Sequence, residues 1–323
     1  LDKIKILFMG TGDIALPSFW ALLENQNEFE MVGLFTQPDK PVGRKQVMTP
    51  PAIKLIAEEE AIQVWQPDRL RGSDELAIIE KLEVDIIVVM AYGQILPTRV
   101  INAPKLACIN LHASLLPKYR GASCIQGAID AGDVETGISV MHVAPALDEG
   151  DVILQHRLII QSDHTGGVVH DLLAESAPEA LLEGLRKLIS ATAERHVQDS
   201  AKSNYAPKLM REDGELDWRM SAVEIERRIR AYDPWPGTST TFIESKGKAR
   251  GKQRRLKIFP QITLEPSLTG KPGEVLELSK NGLVIACGEQ AVRCSNIQPE
   301  GSARMTAEQF ATGGRIETGD ILT

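Results

Sequence analysis

The sequence predicts an α/β protein with a doubly wound, mostly parallel sheet and a second, smaller β-domain. Three observations predict it. Through the first half, apolar strand-like runs alternate with helical segments, the pattern of right-handed crossovers and a sheet covered on both faces. A glycine turn, Gly10-Thr11-Gly12-Asp13-Ile14-Ala15, links the first strand-like run to the first helical one, which is Rossmann-like. After Gly237 the rhythm changes to short β-like runs separated by turn signals, as in small barrels.

The elements follow in order. Ile4 to Met9 is apolar except for Lys5, hence a buried strand, and Ile14 to Leu23 is helical in pattern. Met31 to Thr36 reads as the second strand, and Ile53 to Glu60 and Ser73 to Leu82 as helices. Val84 to Ala91 is the most apolar strand, and Leu106 to Leu111 follows it. Ser123 to Ala131 is a helix, Gly137 to Val143 and Asp151 to Gln161 are strands, and Thr165 to Ile189 is a long helix with a break expected at Pro178. Residues 191–208 lose this rhythm and read as a polar linker. Val223 to Ala231 is helical, and β-like runs occupy 238–243, 256–259, 273–278, 282–286 and 291–297. The domains are therefore expected at 1–190 and 209–323.

Composition bounds the class. A chain of 323 residues with 43% hydrophobic and 25% charged residues is an ordinary globular protein, with room for two domains and no need of disulfides. Cys108, Cys124, Cys287 and Cys294 are scattered, with no metal-ligand spacing, so no metal is expected. The longest apolar run, Ile86 to Tyr92, is far short of the roughly 20 residues that span a bilayer, and a cytoplasmic protein with no membrane partner is expected. The net charge of −8 argues against a generally basic nucleic-acid binder. The balance is uneven: from Leu209 onward 17 Lys and Arg face 16 Asp and Glu, leaving −9 on the rest.

Taken alone, the glycine turn fits a dinucleotide fingerprint, with Asp39 after the second strand as its acid. Any tight strand-to-helix turn in this architecture also favours glycine, so the turn has a plain structural reading beside the nicotinamide one.

The chemistry concentrates in Asn110-Leu111-His112-Ala113-Ser114-Leu115-Leu116-Pro117, then Tyr119-Arg120-Gly121, and downstream Leu147-Asp148-Glu149-Gly150-Asp151. Asn110 and His112 lie two apart at the end of a strand and so point to one face. An amide N–H and an imidazole there can converge on an oxygen that gains negative charge. Asp148 can orient the imidazole or relay a proton. The set suits transfer of an acyl or formyl group directly to an amine, with Asn110, His112 and Asp148 as catalytic candidates. The two motifs, in this order and at this separation, resemble the formyltransferases that use N10-formyltetrahydrofolate. The resemblance runs from Ile4 almost to the C-terminus, and within the family it is strongest to the branch acting on initiator methionyl-tRNA.

The resemblance implies more than the residues alone do. It implies N10-formyltetrahydrofolate as co-substrate, held by Met90, Tyr92, Gly93 and by Ser114, Leu115, Leu116 and Pro117, with no covalent enzyme intermediate. It implies an OB-like β-barrel for the C-terminal domain and a monomer. It implies that the loop Thr36 to Gln46, long and cationic, carries Arg44 and Lys45 to tRNA. Arg suits that task through its planar fork. The block Lys246 to Lys257 holds seven cations and no anion, so Lys248, Arg250, Arg254 and Arg255 are expected to meet phosphates. Asp233-Pro234-Trp235-Pro236-Gly237 resembles a family turn joining helix and barrel. Gly12 and Ile14 stand where the family carries proline and phenylalanine, and Cys124 where it usually has proline, a change expected to alter loop stiffness more than chemistry. The rival readings are a formyltransferase of an amino-sugar nucleotide or of glycinamide ribonucleotide, a nicotinamide oxidoreductase, and a tRNA-binding module without catalysis.

Overall fold

The computed structural model describes residues 3–43, 45–70, 74–245, 250–313 and 315–323. It separates into two compact units. The first comprises residues 1–124, 135–158 and 170–206; the second comprises 125–134, 159–169 and 207–323.

In chain order the first stretch contains β1 (Ile4–Gly10), α1 (Leu16–Glu24), β2 (Phe29–Phe35), β3 (Lys40–Val42), β4 (Val47–Thr49), α2 (Ala52–Glu59), β5 (Val64–Trp65), α3 (Glu75–Lys81), β6 (Ile86–Met90), α4 (Thr98–Ile101) and β7 (Ala107–His112). It continues with α5 (Cys124–Ala131), β8 (Glu135–His142), β9 (Val152–Ile159) and α6 (Gly166–Ile189). Seven strands form one sheet in the order β5-β2-β1-β6-β7-β8-β9. The ladders from β5 to β7 are parallel, and β8 runs antiparallel to β7. Ile6 through Met9 and Ile86 through Met90 are all buried. Alternate residues face opposite sides of a sheet, so both faces of these central strands are covered. One face packs Leu7, Met9, Ile87, Val89 and Cys108 into a common cluster; on β1 the other face sets Phe8 edge-on to Phe19, 5.3 Å between ring centres.

The chain moves outward from β1 to β2 and β5, then returns to β6 on the other side of β1. The carboxyl ends of β1 and β6 therefore flank the topological switch point, where this fold class binds ligands. The glycine turn is needed there for close approach. A Cβ on Gly10 would stand 2.6 Å from the Phe8 ring and 3.0 Å from the Met90 carbonyl oxygen, and the Gly12 N–H donates to the Ala91 carbonyl at 3.4 Å. The acid of the nicotinamide reading is already engaged. Lys54 Nζ donates to Asp39 at 3.0 Å and Gln66 Nε2 at 2.7 Å; led by the Gln66 hydrogen bond, they hold the carboxyl below its ordinary range.

One expectation changes. The helix α6 continues through Pro178, because Leu173, Ala177, Ala180, Leu181 and Leu185 form a fully buried stripe that fixes it in place. In the loop after β2, β3 and β4 pair antiparallel, with Val42, Val47 and Met48 exposed.

The second unit carries α7 (Ala222–Ala231), β10 (Thr238–Ile243), β11 (Gln253–Ile258), β12 (Ile262–Glu265), β13 (Val275–Ser279), β14 (Gly282–Ala286), β15 (Ala291–Cys294), β16 (Asn296–Pro299), β17 (Met305–Thr306) and α8 (Ala307–Thr312). Ser221 caps α7 reciprocally with Glu224, satisfying first-turn N–H groups. The strands form two four-stranded sheets, β10-β11-β16-β17 and β12-β15-β14-β13, so the small domain is antiparallel as expected but shows no closed barrel among the described residues. The ladder breaks where β11 passes to β12 through Pro260 and Gln261, the latter at φ 76°, and where β15 passes to β16 at Ser295. Phe242 and Phe310 meet edge-on in the core between these strands, 5.9 Å apart. Residues 125–134 join this unit through Arg228, whose guanidinium binds Asp130 at 2.9 Å.

Candidate functional site

The site is built at the end of β7. Cys108 turns into the apolar cluster of the first unit, and Asn110 and His112 continue the same face by strand alternation. Asn110 pairs with Val89 of β6 and Met141 of β8, is half-buried, and spends its carboxamide on no hydrogen bond among the described residues. His112 is 6% exposed. Its Nε2 lies 2.8 Å from the Tyr119 carbonyl oxygen. A carbonyl only accepts, so Nε2 carries a proton and the ring's remaining freedom is at Nδ1. Nδ1 faces Asp148 Oδ2 at 3.7 Å. That is too long for a hydrogen bond, so the carboxylate attracts a proton at Nδ1 without consuming it.

Asp148 is itself fixed. Its Oδ2 accepts from the Gly121 N–H at 2.8 Å, and its φ of 53° lies in the left-handed region, a conformation that costs energy for a residue with a Cβ. Tyr119 and Ala91 also have positive φ, so the backbone around the site departs repeatedly from relaxed geometry. Gly150 closes the Asp148 turn against β8: a Cβ there would lie 1.7 Å from the His142 carbonyl oxygen.

His112 is held well above the ordinary imidazole range, at about 9. Burial pushes the other way, but the Cys124 sulfur, the Asp148 carboxylate and the Tyr119 carbonyl outweigh it. The folded-state value thus exceeds the unfolded value near 6.5. The resulting stability is fully present below about 6.5 and is lost as pH rises through about 9. Wild-type protein should therefore lose melting temperature relative to a His112→Gln variant as the pH is raised across that window. A constant difference between the two proteins would contradict the charged imidazole. His142, by contrast, is lowered by burial and by the nearby Arg195 charge.

Of the remaining expected residues, some meet at the site and some do not. Met90 at the end of β6 and Tyr92 just beyond it are buried, whereas Gly93 is exposed at φ 81°. The Tyr92 carbonyl accepts from Thr11 Oγ1 and Gln37 Nε2, tying the ends of β1, β2 and β6 together. In the segment 114–117 the polar groups are largely spent internally. Ser139 Oγ donates to the Ser114 carbonyl at 2.6 Å and accepts from the Leu116 N–H, and Gln155 donates to the Leu116 carbonyl at 2.9 Å. Ser114 Oγ donates to the Lys118 carbonyl at 2.7 Å. Leu115 and Pro117 of this segment are half-buried.

The cationic expectations divide similarly. Arg44 and Lys248 lie outside the described residues; Lys45 and Arg250 are exposed. Arg254 is not a free cation, since its Nε lies 3.4 Å from the buried Glu244 carboxylate. Arg255 donates Nε to Ser239 Oγ at 2.8 Å.

Sequence reasoning missed the supports of the Asp148 turn. Arg120, 7% exposed, binds Glu149 at 2.7 Å and the Gln198 side-chain oxygen through two nitrogens. Gln198 and Asn204 belong to 191–208, a linker by its sequence; in the structure the Asn204 side chain accepts from the Tyr119 N–H at 2.5 Å. Cys124 is buried, and its sulfur is among the groups that raise His112. The one signal in the sequence is Tyr119-Arg120-Gly121 itself, an arginine close behind the candidate motif Asn110 to Pro117. Among the described residues no group of three or more His, Cys, Asp or Glu could hold a metal ion, no helix is long and apolar enough to cross a membrane, and the four cysteines are free and buried.

Comparison with known proteins gives a consistent result. Residues 2–185 match the family described as Formyl transferase, and residues 208–315 match Formyl transferase, C-terminal domain. A methionyl-tRNA formyltransferase of Akkermansia muciniphila is 49% identical over 310 residues, covering 96% of each chain. One from Pseudomonas fluorescens is 41% identical over 97% of this chain and 96% of its own. Two solved structures share the fold. WlaRD, a sugar 3N-formyl transferase, superposes with a TM-score of 0.65 at 19% identity, over 94% of this chain and 100% of its own. HypX from Aquifex aeolicus in complex with tetrahydrofolic acid superposes with a TM-score of 0.62 at 18% identity; this chain is covered in full and spans 51% of that one.

Proposed function

We propose a function on one premise: the chain belongs to the formyl transferase family. It moves a formyl group from N10-formyltetrahydrofolate to the α-amino group of methionine on initiator tRNA. The observation that carries the reading is the pair His112 and Asp148, 3.7 Å apart at the carboxyl end of a parallel strand, with Asn110 two residues before it on the same face.

The residues divide the work as follows. The neutral amine adds its lone pair to the formyl carbon, and the carbonyl oxygen takes the electrons. Asn110 donates its amide N–H to that oxygen, and His112, charged and anchored through Nε2, offers the proton at Nδ1. Asp148 balances the imidazolium and relays the proton that leaves the amine toward the departing folate nitrogen. As the bond between carbon and folate nitrogen breaks, the oxygen's electrons return to the carbonyl. The net result is a formylated amine and a protonated folate nitrogen. No covalent bond to the enzyme and no metal take part. On the folate side, the exposed Gly93 and the half-buried Leu115 and Pro117 offer a mainly apolar surface, suited to a flat heterocycle, between strand ends already tied together. Met90, Tyr92, Ser114 and Leu116 shape that surface from behind. The enzyme works in the cytoplasm as a monomer.

A formylation assay with methionyl initiator tRNA, against free methionine as control, tests the reading; formylation of free methionine at an equal rate, or of neither substrate, defeats it.

The transfer RNA is held by the β3–β4 loop with Arg44 and Lys45, and by cations of the second unit. Replacing Arg250 and Arg255 by glutamine should weaken tRNA binding and flatten its salt dependence. The log–log slope should fall by roughly 0.7 to 0.9 for each phosphate that the variant no longer neutralises. Arg254 is a poor probe, because its removal strands the buried Glu244. An unchanged slope in the double variant would assign tRNA binding to the β3–β4 loop.

A further inference from the structure

We propose that Gln198 is a positioning residue for the reaction just described, on which this inference rests: its carboxamide bolts the main chain of the Asp148 turn to the buried Arg120. The geometry is specific. Gln198 Nε2 donates to the carbonyl oxygens of Asp148 at 2.8 Å and Gly150 at 2.7 Å. Its Oε1 accepts from Arg120 Nε at 3.1 Å and Nη2 at 3.0 Å. All of the amide's hydrogen-bonding capacity that faces the turn is used, and a carboxamide is the only ordinary side-chain group that both gives two hydrogens and accepts a fork from arginine.

The turn needs such a bolt. Asp148 sits in a left-handed conformation at φ 53°, which the chain does not favour by itself. Asp148 Oδ2 must also stay between the Gly121 N–H and His112 Nδ1. Arg120 anchors the far end: it is 7% exposed, ties Glu149 at 2.7 Å, and is fixed through its own backbone, whose N–H donates to the Asn204 carbonyl and whose carbonyl accepts from the Ala206 N–H. The turn is thus clamped on the Asp148 and Gly150 carbonyls and the Glu149 carboxylate. Gln198 touches no reacting atom; it acts through the placement of Asp148. Segment 196–206 is therefore part of the catalytic scaffold rather than a passive tether. Its strand-like bridges, Val152 with His196 and Arg120 with Tyr205, bracket Gln198 on both sides.

The test uses full-length Gln198→Met, which keeps the packing and removes every hydrogen bond, and Gln198→Glu, which keeps the acceptor for Arg120 but sets a carboxylate against two carbonyls. Measured with methionyl initiator tRNA and the formyl donor, both variants should lose kcat by on the order of 100-fold, the cost of displacing a catalytic group by about 1 Å. KM for either substrate should stay within about threefold, and both variants should remain folded at the assay temperature, with a melting temperature lowered by only a few degrees. The ionisable groups around His112 are Asp148 and Cys124, with Arg120 and Glu149 beyond them. A loosened Asp148 should lower the pH at which His112 titrates, followed by the imidazole proton resonances, which a purely structural role would leave alone. A kcat within twofold of wild type in Gln198→Met overturns the proposal. So does loss of activity that tracks loss of the melting transition in both variants. Failure of the wild-type protein to formylate the tRNA would instead defeat the functional reading, and the His112 titration would still report on the bolt.

Discussion

Asn110→Ala should lower kcat for formylation by about 100- to 1000-fold, the usual cost of one donor aimed at a developing oxyanion, while tRNA and folate affinities change little. The reasoning is local. Asn110 is a polar residue placed on the strand face that, two residues earlier, faces the apolar core through Cys108. Its half-buried carboxamide makes no other hydrogen bond among the described residues, so removal breaks nothing in the resting fold. A stability change of more than about 1 kcal/mol would therefore be surprising for a half-buried, unbonded side chain. His112→Ala should cost at least as much in rate and more in stability, because it deletes a buried ring bonded to Tyr119. Near-normal turnover in Asn110→Ala would remove the amide from the mechanism and leave His112 as the sole donor.

These outcomes depend on features legible to different degrees in the sequence. The parallel core is legible because β6 and, from Ile6 onward, β1 are continuous apolar runs, which only strands buried on both faces require. The pairing of Asn110 with His112 follows from strand alternation, and the tie to Asp148 from the resemblance. The supports are not legible. Nothing in Gln198 or Asn204 distinguishes them from solvated linker residues, since their partners lie 48 to 85 positions away and periodicity carries no such information. The acid of the nicotinamide fingerprint is legible as a residue but not as a role: Asp39 is held by Lys54 and Gln66, partners that no local pattern announces. Barrel closure is not legible for a comparable reason. Short alternating runs specify strands, but closure depends on how the chain bends at Pro260, Gln261 and Ser295. Arg254 illustrates the limit for charge: a cationic block in one dimension includes a residue whose charge is spent on Glu244 in three.

Asp148→Asn separates the charge of Asp148 from its shape. Asparagine tolerates the left-handed backbone at φ 53°, and its side-chain oxygen can still accept from the Gly121 N–H. The turn, with its Gln198 bonds to the main chain, should therefore persist, although the melting temperature at neutral pH should fall by the part of the His112 stabilisation that the carboxylate supplies. The charge is what disappears. Without the carboxylate 3.7 Å from Nδ1, one of the groups that raise the His112 value is gone, while burial, which favours the neutral ring, remains. His112 should titrate lower and spend more time uncharged at neutral pH. Nε2 must keep its proton for the Tyr119 carbonyl, so the uncharged ring has none to offer at Nδ1. The closest analogy is a triad whose aspartate is replaced by asparagine, where correct geometry with the wrong proton placement costs about 10,000-fold. A longer, unbonded pair such as this one should lose on the order of 1000-fold in kcat. The loss should shrink as the pH is lowered and His112 recharges, provided that enough of the substrate amine remains neutral. Single-turnover formylation from about pH 5.5 to 9 reads this directly. A pH-independent loss would mean that Asp148 serves as the obligatory proton relay rather than as the group that keeps His112 charged.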